Sequence, residues 1–186
     1  MLQHPLEVNN AKGSARLLCL SLARSKMVIG EVFEESELQA LLSAPRHSNR
    51  PGDPLKTPVL LYPPTPHDTG LLGAAPTLNR RLLDAPEQLR LIVLDGTWRK
   101  SRKMLYLNPL LQALPRLSLR DTPAAYHPIR KAHRPDQRST LEATCAALAQ
   151  LENNGVPFKP LLTAFDGFVA QQLGYRRQVA QAKTQS

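Results

Sequence analysis

The sequence predicts an α/β domain of three layers around a mostly parallel sheet. Short apolar, β-branched runs alternate with helical stretches along the chain. The run Leu91-Ile92-Val93-Leu94 is apolar enough for a strand buried on both faces, and it ends abruptly in Asp95-Gly96-Thr97-Trp98 before a cationic stretch. In open α/β sheets, ligands collect at the carboxyl ends of the strands. The chain therefore delivers an acid, a hydroxyl and its only tryptophan to the place where such folds build active sites.

The elements follow in order. Residues 1–7 read as a strand end running into a loop that carries His4-Pro5-Leu6-Glu7. Residues 11–22 have helical character, with leucines on an apolar face, and 27–30 form a short strand. Ser36 is placed to cap a helix to Leu42, just before Pro45. Residues 46–56 are polar, with two prolines and a glycine, so they form a loop. Residues 59–62 make a third strand, closed by Pro63-Pro64, and 65–90 are irregular apart from a short helix near 78–83. Strand 91–94 feeds a helix over 98–105, with another helical turn after Pro109 as far as Leu114. Residues 116–119 are a short strand, and the proline-punctuated segment 121–138 is a basic surface loop. Ser139 starts a helix that ends at Asn153-Asn154-Gly155, and a final helix spans 161–174, leaving 176–186 as a frayed polar tail.

A length of 186 residues, 42% hydrophobic and 21% charged, suits one domain with a sizeable core. Cys19 and Cys145 sit far apart among apolar neighbours, so they read as buried free thiols, and neither belongs to a metal-binding motif. His127 and His133 lack ligand spacing, and no metal is expected. No stretch approaches the ~20 apolar residues of a membrane span and no secretory signal precedes Pro5, so a cytoplasmic protein is expected.

The net charge of +9 is concentrated. Residues 99–138 hold ten Lys or Arg against two acids, Asp121 and Asp136, a net +8 beside the candidate site. Such a segment points to a nucleic acid, with a membrane surface or an acidic protein as alternatives. Neither a glycine-rich dinucleotide fingerprint nor a phosphate-loop consensus occurs.

Each motif has a structural as well as a functional explanation. Asp95 or Thr97 could cap the next helix and Trp98 could simply pack, but capping needs only one such residue. Gly96 permits close backbone approach. Ser139-Thr140-Leu141-Glu142 has the form of a capping box, and the same helix start could equally hold an anion. His4 with Glu7 alone suggests no more than an exposed loop.

Four motifs, His4-Pro5-Leu6-Glu7, Ala11-Lys12-Gly13-Ser14-Ala15-Arg16-Leu17, Asp95-Gly96-Thr97-Trp98 and Ser139-Thr140-Leu141-Glu142-Ala143, occur in an order and spacing that resembles the DTW-domain family of tRNA-uridine aminocarboxypropyltransferases. The resemblance implies a single DTW domain over 1–186 with a SPOUT-like fold whose carboxyl-terminal part is knotted, a known exception to unknotted topology. It implies transfer of the 3-amino-3-carboxypropyl group of S-adenosylmethionine to N3 of a tRNA uridine. Two departures stand out. Many relatives carry a cysteine cluster ahead of the His-Pro segment that is absent here, through a shortened product, a misassigned start or a member without that metal site. Relatives also carry Thr-Gly near Arg16, where this chain has Gly13-Ser14-Ala15.

The resemblance makes Asp95, Thr97 and Trp98 the candidate catalytic residues. Asp95 is first choice as general base or orienting group for the uracil, and Trp98 would stack on the adenine or the extruded base. Ser139 and Thr140, at the start of their helix, would hold the donor carboxylate, with Arg16, Glu142 and the Gly96 backbone as further donor contacts. Arg99, Arg102 and Lys103, spaced to share one side of a helix, and Arg130, Lys131 and Arg134 would dock tRNA. No protein partner is implied. The alternatives are a SPOUT-type methyltransferase using the same donor on RNA and a non-catalytic RNA-binding protein.

Overall fold

The computed structural model describes residues 1–10, 13–43, 55–65, 70, 75–120 and 139–184, apart from the side chains of residues 173 and 176–184. The chain is a mixed α/β protein with two small, wholly parallel sheets. β1 (Leu2–Gln3) lies between β2 (Val28–Ile29) and β5 (Leu94–Asp95). β3 (Thr57–Leu61) lies between β4 (Leu89–Ile92) and β6 (Arg116–Leu117). The expected single strand 91–94 starts earlier and is divided at Val93, because the segment changes partners along its length. Its first half pairs with β3 and its second with β1, while the Val93 carbonyl still accepts the Leu2 N–H at 2.8 Å.

Seven α-helices surround the described strands: α1 (Ser14–Ser21), α2 (Glu35–Ser43), α3 (Arg80–Leu83), α4 (Trp98–Leu107), α5 (Pro109–Gln112), α6 (Thr140–Glu152) and α7 (Lys159–Thr184). Side chains alternate faces along β3. Leu60 and Tyr62 join Leu38 and Leu42 of α2, Met104 and Leu105 of α4 and Leu111 of α5 in one core. Val59 points the other way and joins Leu89, Leu117 and, from α6, Ala147 and Leu151. Helices thus cover both faces of the β4–β3–β6 sheet. A third cluster, Leu18, Leu141, Cys145, Phe158 and Phe165, locks α1, α6 and α7 together. Fully burying Met104 and Leu105 fixes α4 with about 1.5–3 kcal/mol from each side chain.

Several element ends differ from expectation. α1 begins at Ser14, with Ala11 and Lys12 outside the described residues. Ser36 does not cap α2: the helix starts one residue earlier, and the longer Glu34 side chain takes the N–H groups of Ser36 at 2.7 Å and Glu37 at 3.4 Å. α6 ends as expected at Asn153, whose φ of 49° is a left-handed conformation that Asn tolerates. α7 continues past Gly174 to Thr184, because no proline follows Pro160 and the stretch is rich in Arg, Gln, Ala and Lys, all good helix formers. The expected loop 121–138 and all but the last two residues of loop 46–56 lie outside the described residues.

Candidate active site

Asp95 closes β5, the strand end at the centre of the joined sheets. It is buried, and its Oδ2 accepts from Nε2 of Gln3, its register partner on β1, at 2.9 Å. Among the described residues, Oδ1 has no hydrogen-bond partner and no cation pairs with the carboxylate. Gly96 stands at a close approach: a Cβ there would lie 3.1 Å from Cβ of Lys100, a tight contact, and 3.5 Å from Cβ of His4. Thr97 caps α4, its hydroxyl accepting the Lys100 N–H at 3.4 Å. Trp98, the first residue of α4, remains 59% exposed.

The His4-Pro5-Leu6-Glu7 segment packs directly on this turn. His4 is buried rather than in an exposed loop, since its backbone continues β1 into a bond with the Asp95 carbonyl. Its Nδ1 accepts the Leu6 N–H at 3.1 Å, leaving Nε2 to donate to Glu31 at 2.7 Å. Glu31 also takes Lys103 at 2.8 Å, and Glu7 takes Lys100 at 2.7 Å. The hydrogen bond from Lys103, then that from His4, holds the Glu31 carboxyl below its ordinary value. Burial pushes Glu7 upward, but hydrogen bonds from Lys100 and Asn10 and the nearby charges outweigh it, so its net shift is also downward. Asn108, buried after α4, pins the Glu31 loop by donating to the Glu31 carbonyl at 2.9 Å and accepting the Phe33 N–H at 2.9 Å.

A second group gathers at Trp98. Trp98 meets Tyr62 edge-on with ring centroids 5.8 Å apart, and the guanidinium of Arg116 lies 5.1 Å from the centre of the same Tyr62 ring. Burial lowers the pKa of Arg116 against an opposing pull from Tyr62.

The other candidates are spread over two regions. Ser139 and Glu142 close the capping box: Glu142 accepts the Ser139 N–H at 2.7 Å, and the Ser139 hydroxyl accepts the Glu142 N–H at 3.3 Å. Thr140 is half-buried in the first turn of α6, and Arg16 is exposed on α1, which packs against α6 through Leu18, Leu141 and Cys145. Arg99 and Arg102 are exposed on α4, Arg102 lying over Tyr106 and donating to its hydroxyl at 2.8 Å. Lys103, also exposed, reaches back to Glu31. Arg130, Lys131 and Arg134 lie outside the described residues.

Gln3, Glu31, Tyr62 and Arg116 were not among the sequence candidates. Gln3, Glu31 and Tyr62 all stand at or just beyond the carboxyl end of a short strand, the signal that singled out Asp95. Applying it to every strand would have found them.

A family model described as the DTW domain matches residues 1–173. Proteins of Macaca fascicularis and Mus musculus, each described as tRNA-uridine aminocarboxypropyltransferase 2, are 28% identical to this chain over 187 aligned residues. Each alignment covers 98% of this chain but only 57% of the relative, so the chain spans little more than half their length. No solved structure matches it.

Proposed function

The chain belongs to the DTW-domain family, and from that membership we propose that it transfers the 3-amino-3-carboxypropyl group of S-adenosylmethionine to N3 of a uridine in tRNA. The observation that carries this proposal is the DTW match through residue 173, which takes in the buried Asp95 and everything packed around it. The names of the two relatives and the basic stretch after Trp98 support the same substrate class. The 186 residues are read as one domain on a SPOUT-like frame with a knotted carboxyl-terminal part, supported by the parallel strands and the helices on both sheet faces. A cytoplasmic location is proposed with it. Among the described residues, no helix is long and apolar enough to cross a membrane.

The described residues suit such a donor: Trp98 offers an exposed aromatic face, and Arg116 a guanidinium whose Nε and Nη1 have no acceptor. The donor supplies a sulfonium whose γ-carbon is electrophilic. Asp95 accepts the uridine N3 proton on Oδ1, while Gln3 fixes Oδ2 and with it the plane of the carboxylate. The N3–carbon bond forms as the carbon–sulfur bond breaks, its electron pair passing to sulfur as 5′-methylthioadenosine leaves. Thr97 acts by capping α4, which aims Trp98 at the base or the adenine. Positioning is the main contribution of the protein. Arg16, the Gly96 backbone and the α6 start, with Ser139, Thr140 and Glu142, lie on the donor side. Arg99, Arg102, Lys103, Arg130, Lys131 and Arg134 serve tRNA.

Incubation with unmodified tRNA and donor labelled separately in its methyl and carboxypropyl carbons tests this. The carboxypropyl label should enter tRNA. Methyl label in tRNA would identify a methyltransferase, and tRNA binding with neither label transferred an RNA-binding protein.

A further inference from the structure

Arg116 opens β6 opposite Leu60 of β3, so its side chain leaves the sheet on the face that carries Tyr62. Its Nε and Nη1 are buried with no hydrogen-bond partner, and no described carboxylate pairs with it. The other arginine within a strand behaves differently: Arg90 of β4 donates to the carbonyls of Leu41 and Leu42 at 2.8 and 2.9 Å. Desolvated charged donors without acceptors are costly and rare in folded proteins. The Tyr62 face attracts the cation and offsets part of that cost, but it leaves the N–H groups of Nε and Nη1 unsatisfied.

We infer that Arg116, on the platform made by Tyr62 and Trp98, binds the carboxylate of the aminocarboxypropyl group, an inference that rests on the donor proposed above. A guanidinium fork matches the two oxygens of a carboxylate. Arg116 is half-buried, and a small carboxylate reaches such a guanidinium more readily than a polynucleotide phosphate, which the exposed Arg99 can meet without desolvation. At the start of α6, the Ser139 and Glu142 side chains are bonded to each other and bring no cation. Arg116, rather than α6, therefore neutralises the carboxylate. The Tyr62 ring that carries it also meets Trp98 edge-on, placing the carboxylate near the aromatic face offered to the adenine or the base.

The test is calorimetric titration of the full chain with S-adenosylmethionine, its decarboxylated analogue and 5′-methylthioadenosine, for wild type, Arg116→Met and Arg116→Lys. Wild type should bind S-adenosylmethionine at least ~10-fold tighter than the decarboxylated analogue, a bidentate ionic contact being the difference. Arg116→Met should erase that preference and leave 5′-methylthioadenosine binding unchanged, with Arg116→Lys between the two. The melting temperature of Arg116→Met should equal or exceed that of wild type, because an unpaired buried charge has been removed. Equal weakening of all three ligands, or a lower melting temperature with no change in ligand preference, would mean that Arg116 only shapes the fold and would overturn the inference. So would an unchanged donor affinity with a weakened tRNA complex in filter binding, which would assign the guanidinium to a phosphate. Should Arg116→Met not fold, the wild-type preference and Arg116→Lys still decide. Wild type that binds 5′-methylthioadenosine but shows no carboxylate preference overturns this inference alone. Wild type that binds none of the three overturns the proposed donor as well.

Discussion

The backbone N–H of His4 donates to the carbonyl of Asp95 at 2.9 Å. Two motifs more than ninety residues apart in sequence are therefore one structure, in which the β1 segment sets the height and tilt of the Asp95 turn. The Gln3 side chain repeats the tie on the carboxylate itself.

Asp95→Asn should keep the fold, because the amide oxygen can still accept from Gln3, yet lower transfer by at least ~100-fold, the scale of a lost general base. Initial rates with labelled donor under saturating donor and tRNA measure this. Turnover near wild type would remove Asp95 from the chemistry.

Trp98 is the only tryptophan and is mostly exposed, so it reports on its own surroundings. Donor or uridine should alter its emission, and Trp98→Ala should weaken binding roughly tenfold, in line with about 1–3 kcal/mol for stacking. Emission indifferent to both ligands would place neither against the ring.

Glu7 and Glu31 should give the fold an acid-sensitive margin. Their folded carboxyl groups titrate below the ordinary value of 4.5, so their contribution is complete above that pH and is lost as pH falls through the lowered folded values. Urea midpoints between pH 7 and pH 3 should fall further for wild type than for the Glu7→Gln, Glu31→Gln double variant. Parallel declines would contradict the pairing.

The cations of α4 should differ in their use towards tRNA. Lys100 and Lys103 are ion-paired with Glu7 and Glu31, whereas Arg102 donates to the neutral Tyr106 hydroxyl and Arg99 is exposed. Replacing Arg99 and Arg102 by Ala should reduce the salt slope of tRNA affinity by about one per lost phosphate contact. Replacing Lys100 and Lys103 should change it less. The Arg130, Lys131 and Arg134 triple substitution should act like the arginine pair, raising the tRNA KM without abolishing donor binding. Equal slopes across all these variants would move the docking face elsewhere.

Cys145 should resist alkylation. Burial, with the nearby Glu142 charge, raises its thiol to about 11. At pH 8, iodoacetamide followed by mass spectrometry should modify Cys19, which is partly exposed, well before Cys145. Equal labelling of both in the folded protein would show that the α1–α6–α7 core opens readily.

Local chemistry made much of this molecule readable from its sequence. The cap at Ser139, the stop at Asn153, the turn after β5 and the start of α4 all depend on residues within four positions of one another, and each forms as expected. Long-range partner choice was not readable in the same way. Nothing near Val93 announces that its strand changes neighbours, and nothing near His4 names Glu31, 27 residues away, as its partner. Arg116 counted only as one more positive charge, because its lack of an acceptor emerges only once β6 lies beside β3.

The division of the central segment at Val93 also bears on how the protein comes apart. Residues 89–92 and 94–95 are one covalent stretch shared by two sheets, so peeling either sheet pulls on the other. The amide of Leu2 on β1 and that of Leu60 on β3 thus belong to a single cooperative unit, and their hydrogens should exchange with solvent in the same opening event. Leu2 and Gln3 are held here on both sides, by β2 and by β5.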